Sequence, residues 1–177
     1  AGRCDPRYAA RIDDMNRRIL WAIYANGLDR NPARPGGQID FAANSAVALE
    51  VAKQGIVLLR NERGVLPLAR TARRIAVIGG YADAGVLSGA GSSQVHGQGG
   101  PAANIPLGGD SPWAAFMAEQ YHRSSPLAAI RKMAPQAEVK YRDGRYASEA
   151  VTAAKQADVA IVFANKWSGE GIDQADL

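Results

Sequence analysis

The chain opens on a helical period. Ile12, Met15, Ile19, Leu20 and Ile23 recur at helical spacing while Asp13, Asp14, Arg17 and Arg18 take the other face, which is the pattern of an amphipathic helix. Asp5-Pro6 suits its cap and first turn, and Asn26-Gly27 suits its end. Next comes Asp29-Arg30-Asn31-Pro32-Ala33-Arg34-Pro35-Gly36-Gly37, two prolines and two adjacent glycines in a polar setting. That is the composition of a linker crossing a surface, and a domain boundary is placed there.

Beyond the linker the pattern alternates between helices and short apolar runs. Phe41 to Gln54 is Ala-rich and helix-forming, and it feeds Ile56-Val57-Leu58-Leu59, which predicts a strand. Asn61-Glu62-Arg63-Gly64 reads as a turn, and Arg74-Ile75-Ala76-Val77-Ile78 as a buried strand ending on Gly79-Gly80. Leu127 to Met133 is a helix opened by Ser125-Pro126, Glu138 to Tyr141 an alternating strand, Ser148 to Gln156 a helix, and Val159 to Phe163 a continuous apolar strand. Such alternation predicts an α/β fold, a mostly parallel sheet flanked by helices. The stretch from Leu87 to Arg123, rich in glycine and proline, reads as mostly loop with a short helix at Trp113 to Glu119. A loop of that length inside a compact domain is usually functional or mobile.

Composition narrows the picture. With 177 residues, 47% of them apolar and 21% charged, and with 19 glycines, the chain is an ordered globular protein with many tight turns. The net charge of +4 is spread along the chain apart from pairs such as Arg17-Arg18 and Arg73-Arg74. No basic stripe with interleaved aromatics is present, so a nucleic-acid partner is not expected. No apolar run is long enough to span a bilayer, so no membrane partner is expected either. Cys4, the single cysteine, excludes an internal disulfide framework and reads as an incidental thiol. The start, Ala1-Gly2-Arg3-Cys4-Asp5, lacks signal-peptide design. A cleaved leader upstream stays open, and the compartment is undecided between periplasm or secretion and cytoplasm.

In an open parallel sheet, ligands bind outside the carboxyl ends of the strands. Two segments leave such ends: one after Ile75–Ile78, leading to Ser88-Gly89-Ala90-Gly91-Ser92-Ser93, and one after Val159–Phe163, leading to Ser168-Gly169-Glu170-Gly171-Ile172-Asp173. They are the natural pair to line one site. The first does not match a nucleotide cradle: Gly79-Gly80-Tyr81-Ala82-Asp83-Ala84-Gly85 is not G-x-G-x-x-G, and no P-loop Gly-Lys-Ser/Thr occurs. Its glycines on their own mean only tight turns.

Glu170 stands between two glycines with Trp167 three residues before it. A carboxyl desolvated beside an aromatic wall has its pKa raised, as a general acid requires. Trp167 serves equally well as packing, and an isolated loop glutamate is commonly a solvated surface group. His96 and His122 have no partners at metal-ligand spacing, so no metal is expected. No G-x-S-x-G elbow follows a strand, which argues against a serine nucleophile.

Taken in order, Ile12-Asp13-Asp14-Met15-Asn16-Arg17-Arg18-Ile19-Leu20 with Gly27-Leu28-Asp29, then Ala48 to Asn61 with Leu66-Pro67-Leu68, then Ile75-Ala76-Val77-Ile78-Gly79 with Ala82-Asp83 and Gly91-Ser92, and finally Ala157 to Phe163 leading to Glu170-Gly171-Ile172-Asp173, resemble the middle of family 3 glycoside hydrolases. The resemblance implies residues 1–28 as the last helix of a (β/α)8-type catalytic barrel, 29–38 as an interdomain linker and 39–177 as an α/β sandwich domain. It implies Glu170 as the acid/base of a retaining, β-glucosidase-like enzyme acting on non-reducing-end β-linked sugars. Ser92 then borders the sugar subsite and Trp167 the leaving-group side.

The partners implied are a β-glucoside or oligosaccharide substrate and the barrel domain of the same enzyme, with no cofactor. The nucleophile is an aspartate on that barrel, so Asp5, Asp13 and Asp14 are not candidates and the chain by itself is expected to be inactive. The alternatives are a β-xylosidase or N-acetylglucosaminidase of the same family, or a non-catalytic sugar-binding or interdomain module. The 97–123 stretch matches the family pattern poorly, and nothing is transferred from it.

Overall fold

The computed structural model describes residues 5–110 and 117–171, and these form two compact units, Ala1–Gly55 and Ile56–Leu177. Cys4, residues 113–116 of the helix expected at Trp113 to Glu119, and Ile172 and Asp173 lie outside the described residues.

The first unit is helical. A single 3-10 turn, Pro6–Tyr8, precedes α1 (Ala9–Ala25), and Asp5 caps that turn by accepting the Arg7 backbone N–H at 3.0 Å. The charged face of α1 is laced by Asp14, whose carboxylate takes Arg11 one turn before it at 2.8 Å and Arg18 one turn after it at 3.1 Å. Both pairs are solvent-exposed and contribute a few tenths of a kcal/mol each. α2 (Phe41–Gly55) is capped by Asp40, which accepts the Ala43 N–H at 2.9 Å. Ile19, Leu20, Trp21 and Tyr24 of α1 are all exposed.

The second unit is built on a parallel sheet of β1 (Arg74–Ile78), β5 (Glu138–Arg142) and β6 (Val159–Val162), ordered β5-β1-β6. Arg74 pairs with Glu138 and Ile75 with both Val139 and Val159, so the three strands start level and their carboxyl ends form one edge. α3 (Pro126–Met133) lies before β5 and α4 (Ala147–Gln156) before β6, so each joins the sheet as a crossover between parallel strands. Ser125 caps α3 by accepting the Ala128 N–H at 3.1 Å, and Pro126 takes the first turn, where a missing N–H costs nothing.

Side chains alternate across the central strand. Ile75 and Val77 point to one face and pack with Ala82, Leu127 and Ile130. Ala76 and Ile78 point to the other and meet Ala150, Ala153 and Ala154 of α4. β1, neighboured by strands on both sides and by helices on both faces, is buried from Ile75 through Ile78, as its unbroken apolar run predicted. At the amino ends of the strands Asp158 ties β6 to β1. One carboxylate oxygen accepts the Arg73 and Arg74 backbone N–H groups, each at 2.9 Å, and the other takes the Arg74 guanidinium at 2.7 Å.

Two expectations fail. Among the described residues Ile56–Leu59 pairs with no strand of this unit, and it is exposed; a β-branched run forms a strand only where a neighbour accepts its ladder. The Leu87–Arg123 region is mostly loop, as expected, but it also holds short strands, one of them where the helix was expected to end. It contributes β2 (Val86–Leu87), β3 (Ala103–Pro106) and β4 (Ala118–His122), an antiparallel sheet ordered β2-β4-β3. Ala118 and Glu119, expected in a helix, lie in β4 opposite Pro106 and Ile105. The strands are short and interrupted by glycine and proline, and their stabilisation is cross-strand rather than local. Asn104 and Gln120 hydrogen-bond face to face at 2.9 Å, and Tyr121 stacks its ring 4.5 Å from that of Tyr81.

Candidate active site

The site grows from the carboxyl ends of β1 and β6. Past the last ladder residues the backbone pairing continues, with Phe163 N–H donating to Ile78 O at 2.7 Å and Gly79 N–H to Arg142 O at 3.0 Å. Gly79 has φ +129°, and a methyl group on it would overlap the Phe163 carbonyl oxygen. Only glycine lets the two strand ends leave the sheet this close together. Tyr141, at the end of β5, places its hydroxyl 3.0 Å from both Gly79 O and the Asp83 carboxylate, which fixes the start of the loop after β1. Burial first, and then the negative Asp83, push the Tyr141 phenol up to about 12, so it remains a hydrogen-bonding hydroxyl.

The two loops meet again further out. Ala90 and Gly169 form a parallel β-bridge in which Ala90 N–H donates to Ser168 O at 3.2 Å and Glu170 N–H to Ala90 O at 3.3 Å. At the end of this bridge Glu170 turns its side chain onto the glycine-rich turn. Ser92 donates to it twice, from the backbone N–H at 2.7 Å from Oε2 and from the hydroxyl. Gly91 lies directly beneath. It has φ +78°, and a methyl group there would overlap Glu170 Cβ and sit 2.8 Å from Oε2. Gly89, Ala90, Ser92, Ser168, Gly169 and Glu170 line an open concavity of about 360 Å³. The two segments singled out in the sequence are thus joined, with Ser92 and Glu170 in direct contact.

Trp167 is half-buried, and its ring carbons lie 3.3 and 3.5 Å from where a Gly169 Cβ would stand. It braces the bridge from the Gly169 side. The electrostatics of Glu170 differ from the sequence expectation. The Ser92 hydroxyl and then the Ser92 backbone N–H hold the carboxyl below its ordinary value, and desolvation opposes them only weakly because Glu170 is exposed.

Sequence reasoning missed two supports. Asn165 donates to Gly80 O at 3.3 Å and hydrogen-bonds the Tyr121 hydroxyl, linking the loop after β6 to both the loop after β1 and the antiparallel sheet. Tyr121 is buried and its hydroxyl lies 3.3 Å from Glu119. Nothing local in the sequence marks Asn165, since both its partners are distant along the chain. His96 and His122 are exposed, and among the described residues no group of three or more His, Cys, Asp or Glu side chains is placed to hold a metal ion.

The parallel sheet flanked by helices defines the second unit as an α/β domain, with Glu170 at the carboxyl edge of that sheet, where such folds bind ligands. Residues 56–177 match the model of the glycosyl hydrolase family 3 C-terminal domain, and the chain belongs to that family. It is 34% identical over 173 residues to the probable beta-glucosidase L of Aspergillus fumigatus, covering 92% of this chain and 22% of the relative. It is 31% identical over 164 residues to the beta-glucosidase cel3A of Pyricularia oryzae, covering 91% and 22% respectively. The chain therefore spans under a quarter of the length of these curated relatives, and no solved structure matches it.

Proposed function

We propose that this chain supplies the general acid/base, Glu170, of a retaining β-glucosidase-like enzyme acting on non-reducing-end β-linked sugars. The observation that carries this reading is the placement of Glu170. It stands on a β-bridge between the two loops that leave the carboxyl edge of the sheet, with its carboxylate over an open concavity. In a retaining mechanism one carboxyl, about 5 to 5.5 Å from the other, first protonates the leaving oxygen while the other attacks the anomeric carbon. The first carboxyl then takes the proton of the water that releases the sugar. Glu170 fills the first role and an aspartate on the barrel the second.

Ser92 borders the sugar subsite and Trp167 backs the loop on the leaving-group side. Residues 1–28 are the last helix of the barrel, 29–38 the interdomain linker and 39–177 the sandwich domain. The 177 residues alone are inactive on this reading. The beta-glucosidase names of the relatives support the substrate class.

Azide rescue in the intact enzyme tests the assignment. Glu170→Ala should keep turnover of aryl glucosides with good leaving groups, lose it for poorly activated ones, and recover with azide through a glycosyl azide product. Undiminished hydrolysis of poorly activated glucosides by the variant refutes it.

One observation favours a second reading. Ser92 stabilises Glu170 as a carboxylate, the form suited to accept hydrogen bonds from sugar hydroxyls in a non-catalytic module. On that reading Glu170→Ala weakens sugar binding but shows neither leaving-group dependence nor azide rescue.

A further inference from the structure

A carboxyl that works in both half-reactions needs opposite protonation states. It must hold a proton to assist departure of the leaving oxygen, and it must be free of one to accept a proton from water. Whatever donates hydrogen bonds to it favours the second state at the expense of the first. Among the described residues the donors come from Ser92, whose backbone N–H stands 2.7 Å from Oε2 and whose hydroxyl bonds the same carboxylate.

The contact is built in rather than incidental. Gly91, with φ +78° and no room for a methyl group, lets the Ser92 N–H face the carboxylate, and the Ala90–Gly169 bridge fixes the two backbones against each other. The other ionisable groups described on these segments are Lys166 on the loop of Glu170 and Tyr81, Asp83 and His96 on the facing one. Asp83 is engaged by the Tyr141 hydroxyl at 3.0 Å, and among the described residues it is Ser92 that shifts Glu170, against the carboxyl's own desolvation.

We infer that Ser92 is a positioning residue that divides the work of Glu170 between the two half-reactions, holding the carboxylate form that receives the proton of water and opposing the acid form that protonates the leaving oxygen. This rests on Glu170 being the acid/base. Its proton goes to the glycosidic oxygen as the bond from that oxygen to the anomeric carbon breaks and the nucleophile's bond forms. A proton returns to it from the water that displaces the nucleophile. Ser92 transfers no proton in either step. Its loss makes Glu170 a better-populated acid and a less-populated, less well-aimed base.

The test uses Ser92→Ala and Ser92→Thr in the intact enzyme, beside a carbon-13 titration of the Glu170 carboxyl in the 177-residue chain. In Ser92→Ala the carboxyl titration and the basic limb of the kcat/KM profile should both move to higher pH. Turnover of an activated aryl glycoside limited by release of the sugar should fall about tenfold, short of the roughly 100-fold low end of what a general base contributes because the base itself is kept. Ser92→Thr, which keeps the hydroxyl, should restore both readouts.

An unmoved Glu170 titration in folded Ser92→Ala overturns the inference whatever the kinetics do. So does an equal loss in both half-reactions with an unmoved basic limb. A titration that moves while the kinetic limb stays fixed keeps the Ser92 contact but refutes Glu170 as the acid/base, so the two ideas fail separately.

Discussion

Gly91 offers the sharpest test of how the site is built, because replacing it by alanine adds one methyl group and no charge. At φ +78° an L side chain meets its own backbone, a cost of roughly 1–2 kcal/mol. The larger effect is directional. The new Cβ would overlap Glu170 Cβ and stand 2.8 Å from Oε2, so either the turn or the Glu170 loop must retreat to ordinary van der Waals distance. A displacement of about 1 Å at a reacting group costs on the order of 100-fold in rate.

In the intact enzyme, Gly91→Ala should therefore lose on the order of 100-fold in kcat/KM for glucosides with poor leaving groups. Substrates whose leaving group needs no proton should lose far less. Gly100→Ala supplies the control. That glycine has φ +73° with nothing within 4 Å of a built Cβ, so its variant bears the backbone strain without the collision. Matched losses in the two variants, or normal hydrolysis of poorly activated glucosides by folded Gly91→Ala, would refute the reasoning.

The remaining predictions concern the sheet that carries the loops. Leu127, 4% exposed and packed against Ile75 and Val77, should cost about 2–5 kcal/mol when cut to alanine, read by urea unfolding of the chain. A loss below about 1 kcal/mol would mean that α3 is not seated on the sheet. Asp158 is held well below the ordinary carboxylate range, at about 2, first by the Arg74 guanidinium and then by the Arg73 and Arg74 N–H groups. Because this folded value lies under the unfolded one, its stabilisation is complete above the unfolded value and fades as pH falls through the folded value. Asp158→Asn should lower Tm near neutral pH, with the gap to the wild type closing as pH approaches about 2; a gap independent of pH would remove the charge from the account.

The sheet was legible because its signals are local. The run Ile75 to Ile78 is apolar without interruption, which only a strand covered on both faces explains, and Ser125-Pro126 announces α3 by capping chemistry alone. The antiparallel strands were not legible. β2 has two residues, β3 ends on a proline, and β4 holds Glu119 and Gln120 between Ala118 and Tyr121. Their stability comes from pairing across the chain, such as Ala103 opposite Tyr121, which no window of sequence contains. Ile56–Leu59 failed in the reverse sense, with a strong local pattern and no neighbouring strand in its unit. At the site, topology put Ser92 and Glu170 on the same edge, but only the folded loops bring the Ser92 N–H onto the Glu170 carboxylate. The neighbouring Trp167 was readable as a residue, yet its ring lies on Gly169 and leaves the carboxylate open to Ser92.

That division between backbone and side chain explains why the site can be dissected cleanly. The loop bearing Glu170 is held by main-chain groups, Ala90 N–H to Ser168 O and Glu170 N–H to Ala90 O, none of which belongs to the side chain being tested. Changing Glu170 to alanine therefore removes the carboxyl and leaves those bonds available, so lost turnover reports chemistry. Changing Gly91 keeps the carboxyl and disturbs only its seat, so lost turnover reports placement. Changing Ser92 keeps both and removes a donor, so a moved pH profile reports protonation. A carboxylate that merely decorated the surface would answer to none of the three, and one that only bound sugar would answer to the first without any dependence on the leaving group.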